Sequence, residues 1–99
     1  MTASARRIEE ALAQNVRVSK ESLIVELVDG RTVWASIEWY PRLVHAAPEE
    51  RNKWRLVGRG EGIRWPDLDE DIRVEALLAG HGSAESRSSL DQWLKGRKT

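Results

Sequence analysis

The sequence predicts an α+β domain: a small antiparallel sheet built on a β-hairpin and packed by short helices, with extra helices at both ends. Three observations carry this reading. Apolar residues alternate on both sides of Asp29-Gly30, a dipeptide that favours a hairpin turn. From Pro48 onward, Pro and Gly cut the chain into pieces that fit only short helices and short extended segments. Both ends instead carry apolar residues at helical spacing. The 99 residues make one domain and leave no room for a second core. The expected divisions are an amphipathic helix over 1–15, an α+β domain over 16–80, and a linker with a C-terminal helix over 81–99.

In chain order, Ala5, Ile8, Ala11 and Leu12 give Ser4 to Gln14 a thin apolar stripe, with Arg6, Arg7, Glu9 and Glu10 on the remaining face. Such a helix is marginal alone and has to pack on the domain or on a second copy. Val16 and Val18 predict a short first strand, and Ser22 to Leu27 a stronger second one. A two-residue Asp-Gly loop would put the apolar sets of the two hairpin strands on opposite faces. A three-residue loop, Val28-Asp29-Gly30 with Gly30 left-handed, instead pairs Val25 with Val33 and Leu23 with Ala35. One face then collects Leu23, Val25, Leu27, Val33, Ala35, Ile37 and Trp39, where each large apolar side chain contributes roughly 1.5 to 3 kcal/mol on burial. The other face shows Ile24, Glu26, Thr32, Trp34, Ser36 and Glu38.

Pro41 ends the third strand. Pro48-Glu49-Glu50 opens a helix expected to reach Trp54 or Val57, with carboxylates at its positive end. Gly58, Gly60 and Gly62 break it and lead to an extended piece, Ile63 to Pro66. Asp67 to Asp71 reads as the acidic entry to a short helix, Val74 to Ala79, closed by Gly80. After a small polar linker, Ser88 to Lys95 is the terminal helix, with Ser88 and Asp91 at capping-box spacing and Leu90, Trp93 and Leu94 on its apolar side.

Composition narrows the function. Lys+Arg and Asp+Glu each number 16, so no overall positive field holds phosphates, and nucleic-acid binding is expected only locally, if at all. With no Cys there is neither a thiolate nucleophile nor Cys-ligated zinc. The N-terminal residues form no signal or transit peptide, and no run is long enough to span a bilayer, so a cytoplasmic location is expected.

The strings Val28-Asp29-Gly30-Arg31, Trp39-Tyr40-Pro41-Arg42-Leu43, Pro48-Glu49-Glu50-Arg51, Gly60-Glu61-Gly62-Ile63 and Trp65-Pro66-Asp67-Leu68-Asp69-Glu70-Asp71-Ile72 occur in that order. This series resembles the prokaryotic family called domain of unknown function 2442, over about Val16 to Gly80. The resemblance implies a small α+β domain of bacteria and phages with no assigned reaction. Members encoded beside short toxin-like proteins imply an antitoxin-like or accessory binding role. One departure is Arg64, where the family pattern has His before the Trp-Pro pair, so no proton-transfer or metal role can rest on that position here.

Each candidate site has a plainer structural role beside it. Asp67, Asp69 and Asp71 have the alternating acids of a calcium loop, but Ile72 replaces its turn glycine and Leu78 its closing Glu. Ion pairing with Arg42, Arg51 or Arg64 accounts for them better. Gly58-x-Gly60-x-Gly62 lacks the spacing of a phosphate loop and reads as a bent connection. His45 and His81 lack metal-ligand spacing, and Ser83 sits in no nucleophile elbow. No catalytic residue, metal or cofactor is therefore expected. Family-motif residues with structural or site roles are Asp29, Gly30, Arg31, Trp39, Pro41, Arg42, Trp65, Pro66, Asp69 and Asp71.

Trp39, Trp54 and Trp65 are expected in the core. Trp34 either lies under a terminal helix or anchors a partner, and Trp93 raises the same question. The leading expectation is a non-catalytic protein-binding module whose partner is another protein or a second copy, forming a homodimer in the latter case. Its contacts would come from Ile24, Trp34, Leu90 and Trp93. The alternatives are a nucleic-acid-binding regulator using Arg87, Lys95, Arg97 and Lys98, and an enzyme using Asp69 or Asp71 with Arg42.

Overall fold

A computed structural model of the chain describes residues 11–97, so the N-terminal helix expected over 1–15 falls largely outside the described residues. Two antiparallel three-stranded sheets form: β1 (Ala13–Val18), β2 (Ser22–Leu27) and β3 (Thr32–Ser36) in one, β4 (Arg55–Val57), β5 (Gly62–Trp65) and β6 (Glu70–Arg73) in the other. Among the described residues four α-helices accompany them: α1 (Pro41–Val44), α2 (Pro48–Arg51), α3 (Val74–Leu78) and α4 (Arg87–Gly96). The expected α+β class holds, with a second sheet in place of the single one.

The hairpin register is the predicted one. Val25 pairs with Val33 and Leu23 with Ala35, and Leu27 N–H donates to Arg31 O at 2.8 Å across the three-residue loop. Gly30 has φ 98°, and Asp29 fixes the turn by accepting from Arg31 N–H at 3.1 Å and from its Nε at 2.9 Å.

The first strand starts earlier than Val16. A bulge between Ala13 and Asn15 sets two residues against one on β2, which lets both Ala13 and Val16 face the core. Their three-residue separation looks helical in sequence, which is why Ala13 and Gln14 read as helix.

The third strand ends at Ser36 and does not run to Trp39. β2 begins at Ser22, opposite Ser36, so pairing partners run out. Ser36 Oγ accepts from Glu38 N–H and opens a 3₁₀ turn, Ile37–Trp39. Ile37 stays buried, but Trp39, expected in the core, is turned out to 41% exposure, and the neighbouring Tyr40 is buried in its place. Pro41 does not merely stop a strand: it is the first residue of α1.

The helix from Pro48 is a single turn and does not reach Trp54. The indole of Trp65 donates to Arg51 O at 3.0 Å, taking a carbonyl at the helix end, and Arg55–Val57 pairs with β5. Gly58 and Gly60, both at positive φ, make the β4–β5 turn. The acidic segment is not a helix entry. Pro66–Leu68 is a 3₁₀ turn, Asp69 adopts φ 51°, and Glu70 starts β6. The alternation Leu68, Glu70, Ile72 points all three inward, and the acid among them hides the strand in sequence.

The core joins both sheets and the helices, with Leu23, Val25, Leu27, Leu43, Ile63, Trp65, Leu68 and Val74 fully enclosed. Trp54 packs against it half-buried.

A charged junction around Arg42 as the candidate functional site

Two sequence motifs far apart in the chain meet at one guanidinium. α1 projects Arg42 toward the turn before β6, where its Nη1 donates to Leu68 O and Asp69 O, both at 3.0 Å. Pro41 at the first helical position and Asp69 in a left-handed conformation set the two sides of this contact. The remaining Arg42 donors reach Glu85, with Nε 2.9 Å from Oε1 and 3.1 Å from Oε2, and Nη2 also bonded to Oε2. This is a forked, two-oxygen pairing, the geometry for which Arg is suited.

The pair is well shielded, with side-chain exposures of 14% for Arg42 and 12% for Glu85. Glu85 also accepts from Ser89 Oγ at 2.8 Å. Its hydrogen bond from Arg42 holds the Glu85 carboxyl below the usual range, and the same bond raises the Arg42 pKa.

Trp93 of α4 completes the junction. The guanidinium carbons of Arg42 and Arg97 lie over its ring at 4.9 and 4.6 Å from the centroid. Arg97 Nη2 in turn donates to Glu50 Oε1 at 2.6 Å, and this bond draws the Glu50 pKa down. Glu50 also accepts from Ala47 N–H at the start of α2.

Glu70 is the buried acid beneath this array. Burial pushes its carboxyl up to about 7, against the pull of Arg42, with Glu85, Asp71 and Asp69 adding to the rise. Tyr40, also buried, has its phenol raised by burial and by Glu70, and its hydroxyl donates to His81 O at 3.3 Å.

The other predicted residues have plainer surroundings. Asp69 and Asp71 bind Arg64 at 3.0 and 2.7 Å, and Lys53 stands 3.5 Å from Asp67. Of the three arginines expected to pair with these acids, Arg64 does so fully, while Arg42 comes only to 4.0 Å of the Asp69 carboxylate. Arg51 does not take part: its guanidinium donates to Leu43 O and Val44 O, which close the adjoining helix α1. Among the described residues no group of three or more His, Asp or Glu side chains is placed to hold a metal ion.

Trp34 is 65% exposed on the outer face of the first sheet. Ile24, expected to be exposed beside it, is buried with 7% exposure because it lies in the central strand between Arg17 and Trp34. Leu90 is half-buried, and Trp93 packs against the core, so the structure does not bring the four expected contact residues onto one surface. In the C-terminal segment Arg87 pairs with Asp91 and Arg97 with Glu50. Trp39 is fixed by the linker, its carbonyl accepting from Ser83 N–H at 2.9 Å.

Glu85 was not singled out in sequence, Tyr40 and Glu70 entered only as members of motif strings, and Arg97 was read as a cation of the basic tail and not as a partner of Glu50 and Trp93. Only Glu70 left a signal, as the one acid in the inward register Leu68, Glu70, Ile72.

The chain is thus of the small two-sheet α+β class, and in it a Tyr-Pro-Arg helix start meets the turn following a Trp-Pro pair. The chain belongs to the family described as protein of unknown function (DUF2442), which matches residues 13–83. A crystal structure of a protein of unknown function from Rhodospirillum rubrum is 25% identical, with a TM-score of 0.66, over 75% of this chain and 92% of that one. The solution structure of an uncharacterized protein from Chromobacterium violaceum shares the fold at 22% identity and a TM-score of 0.64, over 98% of this chain and 89% of that one. No curated protein matches the chain. No helix among the described residues is long and apolar enough to cross a membrane.

Proposed function

We propose that this protein is a non-catalytic, cytoplasmic protein-binding module of the antitoxin-like or accessory kind, and that its partner, another protein, contacts the outer face of the first sheet at Trp34. The observation that carries the reading is Trp34 itself, 65% exposed on a strand at the edge of its sheet. An indole left in water on a face otherwise composed largely of polar side chains is the kind of anchor that interface hot spots use, and an edge strand adds unpaired backbone groups. Engagement of Asp69 and Asp71 by Arg64, and of Arg97 by Glu50, supports a binding role over catalysis or phosphate contact. The antitoxin-like element rests on family membership.

The test is Trp34→Ala. The variant is expected to keep the wild-type circular dichroism spectrum and unfolding temperature. It should lose a protein that the wild type captures from its native host and that, once purified, binds wild type in calorimetry. Concentration-dependent light scattering separates a second copy as partner. An identical capture profile together with an identical mass for wild type and variant overturns the proposal.

A further inference from the structure

Among the described residues the two sheets have four edge strands, and three of them carry charge: Arg17 on β1, Arg55 on β4, and Glu70, Asp71 and Arg73 on β6. β3, Thr32-Val33-Trp34-Ala35-Ser36, carries none. Charged side chains are a common guard against edge-to-edge pairing, so β3 is the unguarded edge. It is also regular, since five successive residues pair with β2 without a shift of register. Leu27 N–H donates to Arg31 O and Ile37 N–H to Glu21 O, and the pairs Val25–Val33 and Leu23–Ala35 fall between them in the same phase. Val33 and Ala35 thus turn their N–H and C=O groups to β2, and Thr32, Trp34 and Ser36 turn theirs away from it. Among the described residues no turn, loop or cap bond takes up the backbone groups of Thr32 or Trp34.

We propose that β3 is a dimerisation edge: a second copy of this chain pairs with it antiparallel about a two-fold axis through Trp34, joining the two first sheets into one of six strands. The strand is chemically symmetric about that residue. Pairing there sets Thr32 against Ser36 of the second copy, Val33 against Ala35 and Trp34 against Trp34, so polar meets polar, apolar meets apolar, and each residue stays on its own face. Moving the axis to Val33 or Ala35 leaves two residues of each strand without a partner. The outward backbone groups of Thr32 and Trp34 become paired, and the opposed Trp34 Cα atoms lie about 5.5 Å apart, close enough for the indoles to pack side by side on the outer face. Self-complementarity of this kind is what a closed two-fold dimer requires. One short strand pair lies at the low end of interface sizes, so the dimer forms reversibly with concentration. The inference stands on the edge of β3 and leaves its outer face open to the other protein proposed above, so either can fail alone.

Light scattering of purified wild type should show a mass that rises with concentration from one copy toward two. Two variants that differ at one position read the register: Thr32→Lys, Ser36→Asp places opposite charges across both outer pairs, and Thr32→Glu, Ser36→Asp places like charges there. Both positions are exposed, and Asp can replace Ser36 as the cap of the 3₁₀ turn; the unfolding temperature of each variant reports its fold. The first variant should dimerise about ten times more tightly than the second. Both keep Trp34, so loss of the dimer and loss of a captured protein are read separately. The chain has no Cys, which gives a second measurement independent of these variants. In a glutathione redox buffer Trp34→Cys should form a disulfide-linked dimer about ten times faster than Thr32→Cys, whose two copies stand about 14 Å apart in this register. Wild type that keeps the mass of one copy at every concentration, equal association of the two charge variants, or equal cross-linking at positions 32 and 34 overturns the proposal.

Discussion

A methyl group at position 60 would lie 2.4 Å from Ala13 O, on backbone that has no room to withdraw, because Ala13 N–H is itself hydrogen-bonded to Gly60 O at 2.8 Å. This glycine is where the β4–β5 turn meets the first strand, and its φ of 106° adds strain for any other residue. Gly30 has a similar φ, 98°, with nothing within 4 Å of its missing Cβ. The two positions separate the cost of a left-handed backbone from the cost of a clash. Gly30→Ala should destabilise by about 1 kcal/mol, and Gly60→Ala by about 3 kcal/mol or more. Urea unfolding of both variants checks the order, and a Gly30→Ala variant less stable than Gly60→Ala would contradict it.

Elements differ in what holds them. The strands of the first sheet bury whole side chains, but α4 buries none fully and is held by Trp93, which packs on the core and under Arg42, and by the residues flanking it, Glu85 bonded to Arg42 and Arg97 bonded to Glu50. Its N-terminal cap is Ser86, which accepts from Ser89 N–H at 3.1 Å, two residues before the cap expected at Ser88. Trp93→Ala removes the ring that two guanidinium groups share. In hydrogen exchange, amides of residues 90–96 should then lose most of their protection while those of β2 keep theirs; unchanged protection in α4 would show that the ring is not what retains it. The elements also show what a sequence can and cannot reveal. The Val28-Asp29-Gly30 hairpin was legible down to its register, since one apolar face admits only one pairing. β1 was only half legible because its bulge gives Ala13 and Val16 helical spacing. β6 was hidden because Glu70 occupies a core-facing position, and Arg55-Leu56-Val57 is too short for alternation to register. Trp39 was assigned to the core by extending β3 beyond the end of its partner strand. Of the junction, Arg42 and Asp69 stood out as motif residues. Glu85 did not, and Arg97 stood out only as a cation of the basic tail, since nothing local to either encodes a partner more than 40 residues away.

At the scale of the whole molecule, a buried acid makes folding depend on pH in an unusual direction. Glu70 faces Tyr40 and Arg42 from the α1 side, Glu85 from the C-terminal segment, and Asp69 and Asp71 from its own strand and turn, and its pKa rises from 4.5 to about 7. The folded protein thus binds this proton more tightly than the unfolded chain does. Its contribution to stability is complete below pH 4.5, declines as pH rises, and is gone above about 7. Glu85 and Glu50 act oppositely, because their pKa values are lowered: their contribution is complete above 4.5 and is lost as pH falls through their folded values. The two trends leave maximal stability on the mildly acidic side of neutrality. From Glu70 alone, the protein should be about 2 kcal/mol more stable at pH 5.5 than at pH 8. Urea midpoints measured at both values test this, and Glu70→Gln, which cannot ionise, should remove most of the difference while leaving the acid limb below pH 4.5 in place. Wild-type stability that is flat or rising between pH 5.5 and 8, or a Glu70→Gln variant with an undiminished slope, would mean that Glu70 is not the group whose proton the fold retains.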